Sequence, residues 1–146
     1  LTYLSKAFAG LMKKRGDGRI VNVASLAGFV PGPNMAVYHA TKNYVVALSQ
    51  AMSYELKGTG VSVTAFCPGP FTSEFYNRAE MNQSRLVKNR QLPKAMKVAV
   101  LGYNAMLARK TVAVPSWKYK SGIFLIRVLP RRTVVRYTSN KLKASR

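Results

Sequence analysis

The sequence has one cysteine, Cys67, and one histidine, His39. A lone cysteine excludes an internal disulfide, and no Cys/His cluster suggests a metal site. No apolar run reaches the roughly 18–20 residues that span a bilayer. The first nineteen residues lack the charged, apolar, then small-residue order of a signal peptide. No internal repeat is present. Acidic residues are the other scarcity: Asp17, Glu55, Glu74 and Glu80 stand against 24 Lys/Arg. Residues 1–84 hold eight cations and all four acids, a net of +4, whereas residues 85–146 hold sixteen cations and no acid. A stretch so basic can bind nucleic acid or anionic lipid. The chain reads as a protein of a reducing, cytoplasmic compartment, with a basic end able to lie at a membrane surface.

What is present is an alternation of periods. Residues 1–15 place Leu1, Leu4, Phe8, Leu11 and Met12 at helical spacing, with nothing before them to cap a helix. "GDG" at 16–18 is a turn. "RIVNVAS" at 19–25 is a short β-branched strand without alternation, which predicts burial on both faces. A Gly/Pro-rich loop follows. Residues 35–57 form a long helix with an apolar stripe at Val37, Ala40, Tyr44, Ala47, Leu48, Ala51 and Met52. "GTG" at 58–60 ends it. "VSVTAFC" at 61–67 is a second strand, and "PGPFTSEF" is a loop. Residues 93–109 read as a helix whose Lys94 and Lys97 oppose the helix dipole, and 111–115 as a third strand. Helix alternating with strand predicts an α/β fold with parallel strands and crossover helices. Such sheets bind ligands beyond the carboxyl ends of their strands, where Ser25 and Pro68 fall.

The chemistry lies in "SLAGFVPGPNMAVYHATK". Tyr38 and Lys42 are four residues apart, so a helix carries them on one face. A free tyrosine, with a pKa near ~10, is a poor base at neutral pH. A neighbouring ammonium favours the phenolate, and so does the first turn of a helix. A tyrosine tuned in this way can serve as a general acid or base. The spacing alone also fits a lysine snorkelling beside a packed ring. Ser25, thirteen residues upstream at a strand end, tips the balance by offering a hydroxyl to the same cleft.

"GRIVNVASLAG", "YHATK" and "GTGVSVTAFCPGP", in this order and spacing, resemble the catalytic half of the short-chain dehydrogenase/reductase family. The likeness covers about residues 1–76; from 93 onward the chain is similar, more loosely, to bacterial members with basic C-terminal extensions. The resemblance implies the C-terminal portion of a doubly wound, Rossmann-like parallel sheet with flanking helices. It implies a catalytic part over 1–115 and a basic, partly apolar extension over 116–146. It also implies an NADP- or NAD-dependent oxidoreductase, with NADP slightly ahead. Tyr38 would exchange a proton with the substrate oxygen. Lys42 would favour the ionised phenol and bond the nicotinamide ribose, and Ser25 would hold the same substrate oxygen. Pro68 and Gly69 would form the loop against the nicotinamide, with Tyr38 also at the cofactor, and the Phe71 backbone would meet the carboxamide. Where the family usually has threonine this chain has Ser73, with Thr72 as a substitute. No metal is implied. The segment 72–92, with Phe75, Tyr76, Met81 and Leu86, suggests a small, apolar carbonyl or alcohol substrate.

Other conspicuous residues have plainer readings. Asn22 supports the strand–loop junction, His39 is non-catalytic, and Cys67 is a small buried hydrophobe. Neither "GDG" nor "GTG" follows a strand and opens a helix, so neither is a phosphate loop. The family's glycine-rich turn, its catalytic asparagine and the residue that separates NAD from NADP have no counterpart in these residues. The chain is therefore expected to be the C-terminal part of a longer, homo-oligomeric enzyme, inactive by itself. The rival reading is a binding protein that acts through residues 85–146 on nucleic acid or a membrane surface. No helix-turn-helix, zinc or RNA-recognition pattern supports specific nucleic-acid binding. The apolar residues of "IFLIRVLPRRTVVRY" fit an anionic membrane surface, or else a solvated end packed on the enzyme.

Overall fold

Strand β1 (Gly18–Val23), helix α2 (Ala36–Glu55) and strand β2 (Val61–Phe66) form the crossover unit that the sequence predicts. The strands pair in parallel, from Gly18 opposite Val61 to Val23 opposite Phe66. In this computed structural model, residues 1–79, 81–88 and 90–143 are described; Glu80, Asn89 and the last three residues of the basic stretch lie outside them. Strand β3 (Val112–Ala113), shorter than the 111–115 predicted, pairs in parallel with β2 and gives the order β1-β2-β3.

Alternation along β2 sends side chains to two layers. Val63 packs with Ala9 of α1 (Thr2–Arg15) and Met52 of α2. Ala65 and the following Cys67 pack with Val45 and Val46 of α2. Phe66 points the other way, onto Val98 and Ala105 of α4 (Ala95–Leu107). Helices therefore cover both faces, as a doubly wound sheet requires. A short helix α3 (Phe75–Arg78) lies between β2 and α4. Residues 116–143 of the basic, partly apolar extension form α5 (Trp117–Val128) and α6 (Arg131–Leu142). Tyr119 and Ile123 of α5 pack on the core beside Ala65 and Cys67. Among the described residues no helix is long and apolar enough to cross a membrane.

Two expectations need correction. Only part of the predicted stripe of α2 is its buried face: Met52 is buried and Leu48 packs beside it, but Val37 is 78% and Tyr44 50% exposed, and Ala40, Ala47 and Ala51 are also exposed. The buried residues are His39, Val45, Val46, Ser49 and Met52. The sheet selects the β-branched pair at 45–46, and two polar residues are admitted because each finds a hydrogen-bond partner. Strand β1 is not buried on both faces either, since Val23 is 56% exposed.

Asn22 fastens the layers. Its Nδ2 donates to Ser49 Oγ at 3.0 Å, Ser49 Oγ donates to Val45 O at 2.7 Å, and Ser5 Oγ donates to Asn22 Oδ1 at 3.3 Å. This chain ties α1, β1 and α2 together in the interior. Asn22→Ala strips partners from buried hydroxyls, so thermal unfolding should show a loss of about 1–3 kcal/mol. A change within ±0.5 kcal/mol would contradict that role.

The turns before β1 and β2 meet at the opposite end of the sheet from Ser25. Gly16 and Gly60 both have φ of 78°, and a Cβ on Gly60 would run into the Gly16 carbonyl. Arg109 clasps the pair, donating to Gly60 O at 2.7 Å and to Asp17 Oδ1 at 2.9 Å. Both glycine pairs thus serve as turns.

Candidate active site

Ser25 and Lys42 are held at the carboxyl end of β1 by separate devices. Ser25 caps the short 3-10 turn Leu26–Phe29, its Oγ accepting from Ala27 N at 3.1 Å. That turn lies on α2 because Gly28 meets the backbone of Lys42: a Cβ there would stand 2.7 Å from Lys42 O. Asn43 Nδ2 donates to Gly28 O at 2.7 Å and fixes the contact. Lys42 reaches back across the strand end, and its Nζ donates to Val23 O at 3.0 Å.

The Lys42 ammonium lies 5.8 Å from the centre of the Tyr38 ring, as the i, i+4 spacing predicts. The Tyr38 ring is also flanked by Phe75 at 5.1 Å and His39 at 5.9 Å between centroids. Among the described residues no group hydrogen-bonds the Tyr38 hydroxyl. His39 is buried and its Nδ1 lies 2.7 Å from Val30 O. A carbonyl only accepts, so Nδ1 carries the proton and the ring pins the loop to α2.

The loop after β2 closes the site from below. Leu26 N donates to Pro68 O at 3.1 Å, which binds the Ser25 turn to Pro68. Cys67, fully buried, sits within electrostatic reach of Lys42 and receives the Ser25 backbone N–H. Partial burial lowers the Lys42 pKa from its ordinary value, and Cys67 acts in the opposite direction. Burial pushes the Cys67 thiol up to about 12, against the Ser25 backbone and the Lys42 charge. Tyr76 is likewise pushed up to about 12, first by burial and then by Tyr38. It therefore stays protonated at neutral pH, as a donor rather than a base.

The remaining named positions are more scattered. Gly69 lies under the ring of Tyr119: a Cβ on it would stand 3.0 Å from Tyr119 Cζ. Phe71 packs toward the α4 side with Phe66 and Val98, and its backbone hydrogen-bonds the Tyr76 phenol. Thr72 N donates to Pro93 O at 3.0 Å. Ser73, with Thr72, Glu74, Tyr76, Asn77, Asn82, Val87, Arg90 and Leu92, lines an open depression of about 520 Å³. Its lining is more polar than the apolar pocket expected of this segment. Of the four apolar residues named there, Tyr76 lines it, while Phe75 turns to Tyr38 instead. Tyr119 is the neighbour that sequence reasoning missed. The i, i+4 apolar pair Tyr119 and Ile123 was its only signal.

The residues fit one end of a dinucleotide. Lys42 has three N–H donors and gives one to Val23 O, which leaves two for ribose hydroxyls. Ser25 Oγ accepts from Ala27 and keeps its own proton to donate.

Comparison with known proteins gives the family of the chain. Residues 1–84 match the family model described as short chain dehydrogenase. Over 79 residues the chain is 42% identical to "Inactive 2-(S)-hydroxypropyl-CoM dehydrogenase 2" of Xanthobacter autotrophicus, covering 54% of this chain and 34% of that protein. Over 74 residues it is 35% identical to the D-beta-hydroxybutyrate dehydrogenase of Rhizobium meliloti, covering 51% of this chain and 29% of that one. Among solved structures it resembles a short-chain dehydrogenase from Sphingobium yanoikuyae in complex with NADPH. That likeness has a TM-score of 0.67 at 26% identity, over 88% of this chain and 52% of that one. The matched segments thus span about a third of the two sequence relatives and about half of the structural one.

Proposed function

The chain belongs to the short chain dehydrogenase family, and from that premise we propose that it supplies the proton-transfer half of an NAD(P)-dependent oxidoreductase acting on a small carbonyl or alcohol. The observation that carries the reading is the Lys42 ammonium beside the Tyr38 ring at the strand ends. Nicotinamide, when bound, exchanges hydride with the substrate carbon. In the reductive direction Tyr38 gives its phenolic proton to the carbonyl oxygen; in the oxidative direction it takes one from the alcohol. Lys42 steadies the phenolate left behind and offers its two spare donors to the ribose. Ser25 donates to the same substrate oxygen as charge builds there. Pro68, Gly69, the Phe71 backbone and Ser73 are proposed to border the nicotinamide end.

NADP is the preferred partner in this reading, in keeping with the NADPH in the Sphingobium relative. The Phe75 ring on Tyr38 favours an apolar group near the reacting carbon, with polar contacts farther out. Residues 1–115 form the proposed catalytic part, and residues 116–146 a basic extension. A cytoplasmic homo-oligomer is proposed for the whole protein. The reading displaces one in which the chain is chiefly a nucleic-acid or membrane-surface binder.

The test is transfer of deuterium from C4-labelled NADPH or NADH to a carbonyl substrate. It needs a protein that carries this chain behind a glycine-rich dinucleotide-binding half. Label is expected at the alcohol carbon; its absence across a broad panel of ketones and aldehydes would sink the proposal. The 146 residues contain no Gly-x-x-x-Gly-x-Gly turn to receive the pyrophosphate. Assayed alone they are expected to show no turnover.

A further inference from the structure

Helix α5 has two apolar sides, and only one is used by the fold. Tyr119 and Ile123 pack on the core. Trp117, Phe124, Leu125 and Val128 fall on another side at spacings of seven, eight and eleven. They are 80%, 70%, 56% and 71% exposed. Lys118, Lys120 and Arg127 flank them on the same helix, and Arg131 and Arg132 open the next one; all five are exposed. Among the described residues the only ion pairs are those of Asp17 with Arg19 and Arg109, and none of these five cations pairs with a described carboxylate.

We infer that the outer side of α5 seats the protein on an anionic membrane surface, with Trp117, Phe124 and Val128 at the level of the headgroups and acyl-chain boundary and the surrounding cations on lipid phosphates. This goes beyond the oxidoreductase reading and does not depend on it. The helix has twelve residues, about 18 Å at 1.5 Å per residue, which suits lying in the interface and not crossing it. Tryptophan and phenylalanine prefer that depth, and uncompensated Lys/Arg supply attraction to anionic lipid. Nucleic acid suits the charge but not the centre of the patch. Exposed Leu125 and Val128 gain little against a phosphodiester backbone, whereas burial in lipid removes their surface from water.

Trp117 is the chain's sole tryptophan, so it reports on its own surroundings. The intact chain is titrated with phosphatidylcholine vesicles with and without phosphatidylglycerol, and with duplex DNA at equal phosphate. Expected is a shift of Trp117 emission to shorter wavelength on the anionic vesicles alone, with quenching by lipids brominated in the acyl chain. The pair Arg131→Gln and Arg132→Gln should weaken partition tenfold or more, at about fivefold per cation near the surface. Phe124→Ser with Val128→Ser should abolish the quenching while the far-ultraviolet circular dichroism is unchanged. Should that variant fail to fold, bromolipid quenching of the unaltered chain decides by itself. Vesicle binding without quenching, no binding, or tighter binding to DNA than to anionic vesicles would each overturn the inference.

Discussion

Replacing Tyr38 by phenylalanine is expected to lower turnover about 10²–10⁴-fold, the range of a lost general acid or base. The measurement belongs in a protein that carries this chain with a complete dinucleotide-binding half. Phenylalanine keeps the ring, so the contacts with Phe75 and His39 survive and the Lys42 ammonium still faces an aromatic surface. Only the hydroxyl goes, and it hydrogen-bonds no other described residue. Thermal stability should therefore change little, and cofactor affinity should change far less than turnover. The phenolic proton matters only as the substrate oxygen changes charge, so its loss acts on the transition state. Lys42→Ala makes the contrast. Its ammonium is proposed to serve both the phenolate and the ribose, so turnover and cofactor affinity should fall together. If Tyr38→Phe cost less than tenfold, or if its whole effect lay in cofactor affinity, Tyr38 would not be the proton carrier.

The placement of Tyr38 beside Lys42 was more legible than the packing around it, for a physical reason. Tyr38 and Lys42 are one helical turn apart, and local geometry alone brings them side by side. The parallel pairing of β1 and β2 was also readable, because β-branched runs on either side of a long helix leave few topologies. The face of α2 was not. This helix is apolar on two sides: Val37, Ala40, Tyr44, Ala47 and Ala51 of the expected stripe recur at helical spacing, and so does the row of Val45, Leu48 and Met52, whose last two residues the expected stripe also took in. Periodicity finds both rows and cannot choose between them. The choice came from Val45 and Val46 meeting Ala65 and Cys67, together with the partners found by Ser49 and His39. Helices α5 and α6 were hidden because cations interrupt their apolar residues at nearly every turn. The seat of Tyr119 on Gly69 joins positions fifty residues apart, and no local pattern encodes such a contact.

The thiol behind the site should be nearly inert while the protein is folded. Cys67 lies directly after β2, fully buried, with its backbone N donating to Ala113 O at 2.8 Å. Its pKa rises from 9.0 to about 12. At a fixed pH below 9, three units mean about a thousandfold less thiolate, the reactive form. Alkylation by iodoacetamide at pH 8 should therefore be about 10³-fold slower in the folded chain than in urea, and slower still where access is blocked. The same shift bears on stability. Between about pH 9 and 12 the folded thiol keeps its proton while the unfolded one loses it. The folded state then binds more protons, so stability falls as pH rises through that window. At about 1.4 kcal/mol per unit, the loss is bounded at about 4 kcal/mol. Tyr76, raised from 10.0 to about 12, acts in the same sense. Lys42 acts in the other: its lowered pKa releases the folded state's proton first, so stability rises with pH below 10.5. Cys67→Ala removes one of the two falling contributions and leaves the rising one. Its urea midpoint should drop less between pH 8 and pH 11 than that of the unaltered chain. Equal drops, or native alkylation at the rate of the unfolded thiol, would show that Cys67 is not held beneath Ser25 and Lys42 in solution.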